Sequence, residues 1–299
     1  MQMFTMAGLS GDAGTSAQVD TSWDPRACES ELARMSDARV SSLRRTIEVE
    51  LIPRLMLAHA LPSNDANAPV ELQPTVHDGE VELLTEMVLR RDAAASQTYV
   101  RARRAAGLRV ETLYLQLLAP VALRLGEMWE TDLCDFTQVT VGLWRLQQIV
   151  FEYSPDFQRD RRVRMHVRRA MLVPAPGSQH TFGIVMVGEF FRRAGWDARG
   201  DPGASIQDVS AMLADEWFDV VGLSVGSECH ADAVASAILG FRKSSLNPAI
   251  VAMVGGPVVD LSSEFVGRVG ADGTAADAQA AVAEAERLVA LRALLPESP

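Results

Sequence analysis

Ala170-Met171-Leu172-Val173, followed closely by Ser178-Gln179-His180-Thr181-Phe182-Gly183, is the stretch that decides the fold of this chain. Its first four residues are apolar, as in a buried strand, and the run from Ile184 to Arg193 has the apolar spacing of a helix. A strand, a polar turn and a helix in this order form a ligand site at the carboxyl end of an open α/β sheet. Because glycine permits close backbone approach and histidine can offer a nitrogen to a metal, we predict a binding loop here.

Strands and helices alternate from residue 168 onward. Further strands are predicted at 196–198, 219–224, 249–254 and 269–272, and helices at 180–194, 205–216, 229–243, 261–267 and 274–291. Five short strands separated by helices indicate a parallel, doubly wound sheet of flavodoxin-like (Rossmann-like) type with right-handed crossovers. Residues 168–292 are therefore predicted to form an α/β domain.

The preceding residues are predicted to form a helical cap. Residues 1–37 are rich in Gly, Ser, Ala and Asp without periodicity and are predicted to be disordered. Apolar residues recur at helical spacing across 38–153, including a helix at 40–60, which predicts a bundle of about four helices. The arginine-rich residues 154–167 are predicted to be a solvated linker. The fold class is therefore α plus α/β, a bundle followed by a five-stranded parallel sheet.

Composition limits the compartment and the partners. The chain has 299 residues and a formal net charge of −11, which argues against broad nonspecific binding to nucleic acid or to anionic membranes. Cys28, Cys134 and Cys229 lie far apart, which is typical of a reducing cytoplasm and offers no zinc motif. No signal peptide and no apolar run of about 20 residues is evident, so a cytoplasmic protein is expected.

Two more loops follow predicted strands, Ser224-Val225-Gly226-Ser227 and Gly255-Gly256. By the rule for open α/β sheets they lie on the same rim as the loop of His180. Their small residues leave room for a long ligand tail between strand and helix. A dinucleotide site is not favoured, because no G-x-G-x-x-G follows the first strand.

The three loops together resemble the cobalamin-binding domain of methionine synthase and its relatives, whose loops read Asp-x-His-x-x-Gly, Ser-x-Leu and Gly-Gly. The resemblance implies that His180 ligates cobalt from below, while the displaced tail of the cofactor lies in a slot between the loops. It also implies that Trp129, in the helical cap, covers the upper face of the corrin. The implied cofactor-binding residues are Ser178, His180, Thr181, Gly183, Ser224, Gly226, Gly255, Gly256 and Trp129, with His180 as the metal ligand.

The chain departs from that pattern at two positions. Ser178 stands where the family has the aspartate that orients the histidine, and Gly226 replaces the leucine. Loss of such a partner typically weakens metal affinity about 10- to 100-fold. A sensor that holds one corrinoid state therefore fits better than a corrinoid carrier of a methyltransferase system. Haem remains open, because a histidine in a roomy apolar pocket can also ligate iron.

The whole-chain pattern resembles the AerR/PpaA family of photosynthetic proteobacteria. The segments that carry this resemblance are Thr46–His59, Trp129, Asp135–Leu143 and Gln179-His180-Thr181. It implies a non-enzymatic antirepressor that binds a repressor of CrtJ/PpsR type and reads light or redox state through adenosyl- or hydroxocobalamin, or through haem. Direct DNA contact is not expected, because the amino terminus shows no convincing helix-turn-helix. Related light sensors carry a Glu-His pair where this chain has Val139-Thr140, so their upper histidine ligand is absent.

Overall fold

The computed structural model describes residues 74–90, 93–178, 181–201, 203–226, 230–256 and 263–294. Every described residue belongs to one compact unit of the chain, Leu72–Pro299. The predicted disorder at 1–37, the predicted helix at 40–60 and His180 itself therefore lie outside the described residues.

Four helices precede the sheet in the described chain. They are α1 (Asp78–Leu89), α2 (Ala93–Ala105), the composite α3 and α4 (Phe136–Phe157). The composite α3 runs through Val110–Thr112, a π-helical segment Leu113–Leu118, and Ala119–Glu130. The break between α1 and α2 comes at Arg90, which has an extended backbone with ψ 158° and ends α1.

The helix α4 begins with a capping box formed by Asp135 and Gln138. Gln138 N donates to Asp135 Oδ1 at 2.7 Å, and Asp135 N donates to Gln138 Oε1 at 2.9 Å. Each side chain thus satisfies a backbone donor that the first helical turn leaves without a partner.

The composite helix α3 contains a wide turn just before Pro120. Ala119 N donates to Tyr114 O, five residues back, at the end of the π-helical segment. Proline lacks an N–H and its ring crowds the preceding turn. The wider π turn therefore lets α3 continue through Pro120.

The sheet has five parallel strands in the order β2-β1-β3-β4-β5. This is the flavodoxin-like order, which confirms the predicted fold class. The strands are β1 (Arg169–Pro174), β2 (Asp197–Gly200), β3 (Val220–Ser224), β4 (Val251–Gly255) and β5 (Gly273–Thr274). The helices are α5 (Phe182–Arg193), α6 (Ile206–Asp215), α7 (Ala231–Ser244), α8 (Ser263–Val269) and α9 (Ala278–Leu294).

The fifth strand lies later in the chain than the predicted 269–272. Val269 is the last residue of α8, and Gly270 follows it with φ +70°. A residue in this left-handed conformation ends a helix and is not part of a strand. The pairing with β4 therefore begins only at Gly273.

One hydrophobic core joins the four helices to the sheet. Buried side chains of α1, α3 and α4 form a single cluster with α5, α9 and one face of the sheet, through residues such as Phe190 and Val220. A second cluster, under α6, α7 and α8, covers the other face. The helices and the sheet thus enclose a continuous interior between them.

The connection from α4 to β1 is only partly solvated. The helix α4 ends at Phe157, beyond the predicted 153. Val163 and Met165 are 99% and 96% exposed, as expected for a linker. Arg164, however, donates to Ala194 O at 2.7 Å and pairs with Glu286, so this arginine anchors the connection. None of the helices that the structure describes has the length and apolar character of a membrane span.

Candidate cofactor site

The predicted binding loop begins with a tight turn after β1. Ser178 N donates to Ala175 O at 2.9 Å, and Gly177 has φ +87°. A proline at the second position and a positive-φ glycine at the third are the pattern of a type II turn. Ala175 N donates to Ser224 O at 2.8 Å, which ties this turn to the end of β3.

The loop then enters α5 through Thr181. Gln179 and His180 lie outside the described residues, so the metal ligation predicted for His180 stays a prediction. Gln147 Nε2, on α4, donates to Thr181 Oγ1 at 3.0 Å. The helical bundle therefore contacts the binding loop directly at the start of α5.

Three strand ends form the floor of the site. Ser224 pairs in register with Pro174 on one side and with Gly255 on the other, so β1, β3 and β4 end at the same level. Gly256 has φ +135°, and a Cβ there would lie 2.1 Å from Val225 O. Only glycine fits this position, which explains the second glycine of the predicted pair.

A cavity of about 740 Å³ lies above these strand ends, between the bundle and the sheet. Five predicted site residues line it: Trp129, Gly183, Ser224, Gly255 and Gly256. Three others lie outside its lining. Ser178 belongs to the turn, Thr181 contacts Gln147, and Gly226 is buried beyond β3.

The bundle supplies the opposite wall of the cavity. Leu123 and Trp129 come from α3, and Val139 and Leu143 come from α4. Trp129 is 36% exposed, so its indole stands at the mouth of the cavity rather than in a core. Thr140 is exposed and its hydroxyl donates to Phe136 O at 2.7 Å, so of the pair Val139-Thr140 only the valine reaches the cavity.

Sequence reasoning missed three acidic residues that line the cavity, namely Glu127, Glu130 and Asp277. Glu127 and Glu130 flank Trp129 in the sequence, and that proximity was the available signal. Asp277 Oδ1 accepts from Ala280 N at 2.7 Å, so it caps the start of α9 beside the cavity. Among the described residues, no group of three or more His, Cys, Asp or Glu side chains could hold a metal ion.

Residues 168–283 match the family model of the B12 binding domain. The match covers most of the α/β part of the chain, from the residue before β1 into α9. A relative from Rhodobacter capsulatus, described as an uncharacterized 20.5 kDa protein in the bchF-crtJ intergenic region, is 28% identical over 169 residues. That alignment covers 56% of this chain and 88% of the relative.

A solved structure shares this fold. The monomethylamine corrinoid protein of Methanosarcina barkeri is 17% identical, with a TM-score of 0.57 over 73% of this chain and 100% of that chain. At this identity the likeness shows the fold alone. With the family match and the Rhodobacter relative, the resemblance to AerR/PpaA-type cobalamin-binding proteins is confirmed.

The cavity of the B12-binding domain is compatible with a corrinoid. A Cβ built on Gly255 would meet no atom within 4 Å, and one on Gly183 would meet only Ser224 Oγ, at 3.6 Å. These two glycines therefore leave open space that most side chains would fill. The volume falls in the range of about 300–1,000 Å³ that is typical of small-molecule sites. Its walls are largely apolar, as suits the faces of a macrocycle.

Proposed function

We propose that the protein is a cobalamin-binding sensor that controls transcription through a repressor protein. The observation that carries the proposal is the cavity between bundle and sheet, open at Gly183 and Gly255 and bordered by Trp129. In a B12-binding domain such a slot accepts the nucleotide tail, and the bundle wall faces the corrin. When bound, the corrinoid supplies a photolabile and redox-active cobalt centre.

The residues of this chain have distinct roles in the proposal. Ser224, Gly255 and Gly256 shape the slot, and His180 is the proposed lower axial ligand. On the opposite side, Trp129, Val139 and Leu143 provide an apolar wall that excludes water from the upper face. Because this wall belongs to α3 and α4, these two helices would respond to a change in what the cavity holds.

The proposed partner is a repressor of CrtJ/PpsR type. The support is the sequence resemblance to the AerR/PpaA family together with the Rhodobacter relative, which is described by its place between bchF and crtJ. On this proposal the protein is a binding module and not a catalyst. A ligand shifts the population of its conformations only by binding one of them more tightly than another.

Cofactor loading tests the first step of the proposal. The full-length protein is incubated in darkness with hydroxocobalamin, adenosylcobalamin or haemin and then passed through a gel-filtration column. We expect corrinoid absorbance to elute with the wild type and to be reduced at least tenfold with His180→Ala, in line with the cost of losing a metal ligand. If the protein retains haem and no corrinoid, haem becomes the proposed cofactor. If it retains neither, the proposal of a tetrapyrrole sensor is refuted.

A corrinoid carrier of a methyltransferase system is the second candidate function. The fold likeness to the monomethylamine corrinoid protein favours it. The two functions differ in what the bound cobalt must do, since a carrier has to be reduced and methylated. If the reduced, corrinoid-loaded protein accepts a methyl group from a corrinoid methyltransferase, the function is that of a corrinoid carrier and the sensor proposal is wrong.

A further inference from the structure

The helix α4 has an outward side that carries three large aromatic residues. Phe136, Trp144 and Phe151 are 60%, 55% and 52% exposed. Spacings of eight and seven residues place them within about 80° of one another around a helix. We call these three residues the aromatic face of α4.

This side of α4 also carries little charge. The neighbouring exposed residues Thr137, Thr140 and Pro155 are uncharged, and the charge of Glu152, at the edge of this side, is paired with Arg101 at 2.8 Å. The opposite side of the helix is already buried through Leu146, Ile149 and Val150. A helix that buries one side in a core normally presents polar and charged residues to water on the other. Aromatic enrichment and charge depletion are instead the marks of the centre of a protein interface.

One end of the aromatic face is acidic. From Leu125 to Trp144 the chain has four acidic residues and no basic one. Glu127 and Glu130 are exposed in the last turn of α3, and Asp132 and Asp135 are exposed in the connection to α4. Glu127 pairs with Arg124 at 2.9 Å, so four carboxylates stand against one guanidinium at this end. A partner that covers the aromatic face would therefore gain from basic residues placed at that end.

The size of the face favours a single helix as its occupant. Fifteen residues of helix separate Phe136 from Phe151, which corresponds to roughly 22 Å at 1.5 Å per residue. A stable dimer needs about 800 Å² on each partner, more than a strip of this length and one helix in width provides. The net charge of −11 also opposes self-association.

The aromatic face is adjacent to the cavity on the same helix. Leu143 lines the cavity, and the next residue, Trp144, belongs to the face. Gln147, one turn further on, contacts Thr181 of the binding loop. A shift of α4 in response to the ligand would therefore move the aromatic face as well.

We infer that the aromatic face of α4 is the docking surface for an amphipathic helix of a partner protein, with the basic end of that helix over the acidic α3–α4 turn. The inference rests on the proposed function, because it assigns the surface through which the sensor reaches its partner.

A model peptide tests the surface in the full-length protein. The probe is a fluorescein-labelled 18-residue helical peptide with leucines along one side and three arginines at one end; its control has glutamates in place of the arginines. Binding is followed by fluorescence anisotropy for the wild type, Trp144→Ala and Phe151→Ala. The matched control is Trp217→Ala, because Trp217 is also half exposed, at 50%, but precedes β3. Circular dichroism and thermal melting verify that each variant is folded.

We expect the wild type and Trp217→Ala to bind the arginine peptide at least tenfold more tightly than the glutamate peptide. Trp144→Ala and Phe151→Ala should each weaken arginine-peptide binding at least tenfold while retaining corrinoid. The inference would be overturned if the wild type bound the two peptides with equal affinity, or if Trp144→Ala and Trp217→Ala weakened arginine-peptide binding equally. It would also be overturned if analytical ultracentrifugation showed a dimer that depends on Trp144. Loss of corrinoid binding by the wild type would instead refute the proposed function and leave the peptide result standing.

Discussion

Two adjacent glycines at the end of β4 have different physical roles. Gly255 faces open space in the cavity, since a Cβ there would meet nothing within 4 Å. Gly256 lies against the β3 loop, where a Cβ would be 2.1 Å from Val225 O and φ is +135°. Gly255 therefore keeps space for a ligand, and Gly256 allows the end of β4 to pack against the loop that follows β3.

Substitution of the two glycines should separate binding from stability. Gly255→Val fills cavity space, so we expect at least tenfold weaker corrinoid binding and a change of less than about 1 kcal/mol in the free energy of unfolding. Gly256→Ala should lower that free energy by about 2 kcal/mol or more, because it adds backbone strain and a clash with a carbonyl oxygen. Urea unfolding and corrinoid titration measure the two effects. Equal loss of stability in both variants would contradict the assignment.

At the scale of residues, sequence reasoning found the small side chains and missed the acidic ones. Ser224, Gly255 and Gly256 could be predicted because strand ends of a parallel sheet meet on one rim. Glu127, Glu130 and Asp277 could not, because their positions depend on how the bundle and α9 approach the sheet. Ser178, Thr181 and Gly226 are not part of the cavity lining, and their part in cofactor binding stays a prediction.

At the scale of elements, the contact between α4 and α5 contains a buried carboxylate. Glu189 is 3% exposed. Its oxygens accept from Ser154 Oγ at 2.7 Å, from Gln158 Nε2 at 2.7 Å and from Arg192 Nη1 at 2.8 Å. Two of these donors belong to the end of α4, so the carboxylate fixes how the bundle meets the first helix of the α/β domain.

Removal of this carboxylate should destabilise the protein. We expect Glu189→Ala to lower the free energy of unfolding by about 2 kcal/mol, because Ser154 Oγ and Arg192 Nη1 lose an acceptor while Gln158 Nε2 keeps only its bond to the backbone carbonyl of residue 189. Glu82→Ala is the control, since Glu82 is exposed on α1 and should change stability by less than about 0.5 kcal/mol. Chemical denaturation measures both. A similar small effect for both variants would show that the carboxylate does not hold the two helices together.

The prediction of helices and strands succeeded where the apolar periodicity was strong. It failed where the backbone conformation of a single residue sets the boundary of an element. The helices α4 and α5 and the central strands follow from apolar spacing and from the capping box at Asp135. The break after Leu89 depends on the extended backbone of Arg90, and the late start of β5 depends on Gly270. Neither residue carries a hydrophobic pattern, so sequence spacing had no means of placing these two boundaries.

At the scale of the whole molecule, all three tyrosines lie in or beside the helical part of the core. Tyr114 is fully buried, and its hydroxyl donates to Val150 O at 2.7 Å. Burial raises the pKa of Tyr114 and of Tyr153. Burial, helped by the hydrogen bond to Glu80, raises the pKa of Tyr99 to about 12. The phenols therefore stay protonated in the folded chain at a pH that ionises free tyrosine.

Alkaline titration should reveal this protection. Since each pKa is higher in the folded than in the unfolded chain, these groups leave stability unchanged below about pH 10 and reduce it as the pH rises further, towards about 12 for Tyr99. At about pH 10, absorbance at the tyrosinate band should show less ionisation of the native protein than of the protein in denaturant, where the tyrosines titrate normally. Native tyrosines that titrate with the midpoint of free tyrosine would contradict the packing of the bundle.

The central claim is that the cavity holds a light- or redox-sensitive corrinoid, and the absorption spectrum of the protein purified from its own cells tests it most directly. The spectrum is recorded in darkness and again after illumination. We expect corrinoid bands that co-elute with the protein and change on illumination. A purified protein without any tetrapyrrole absorbance, or with a corrinoid spectrum that neither light nor a change of redox potential alters, would contradict the account.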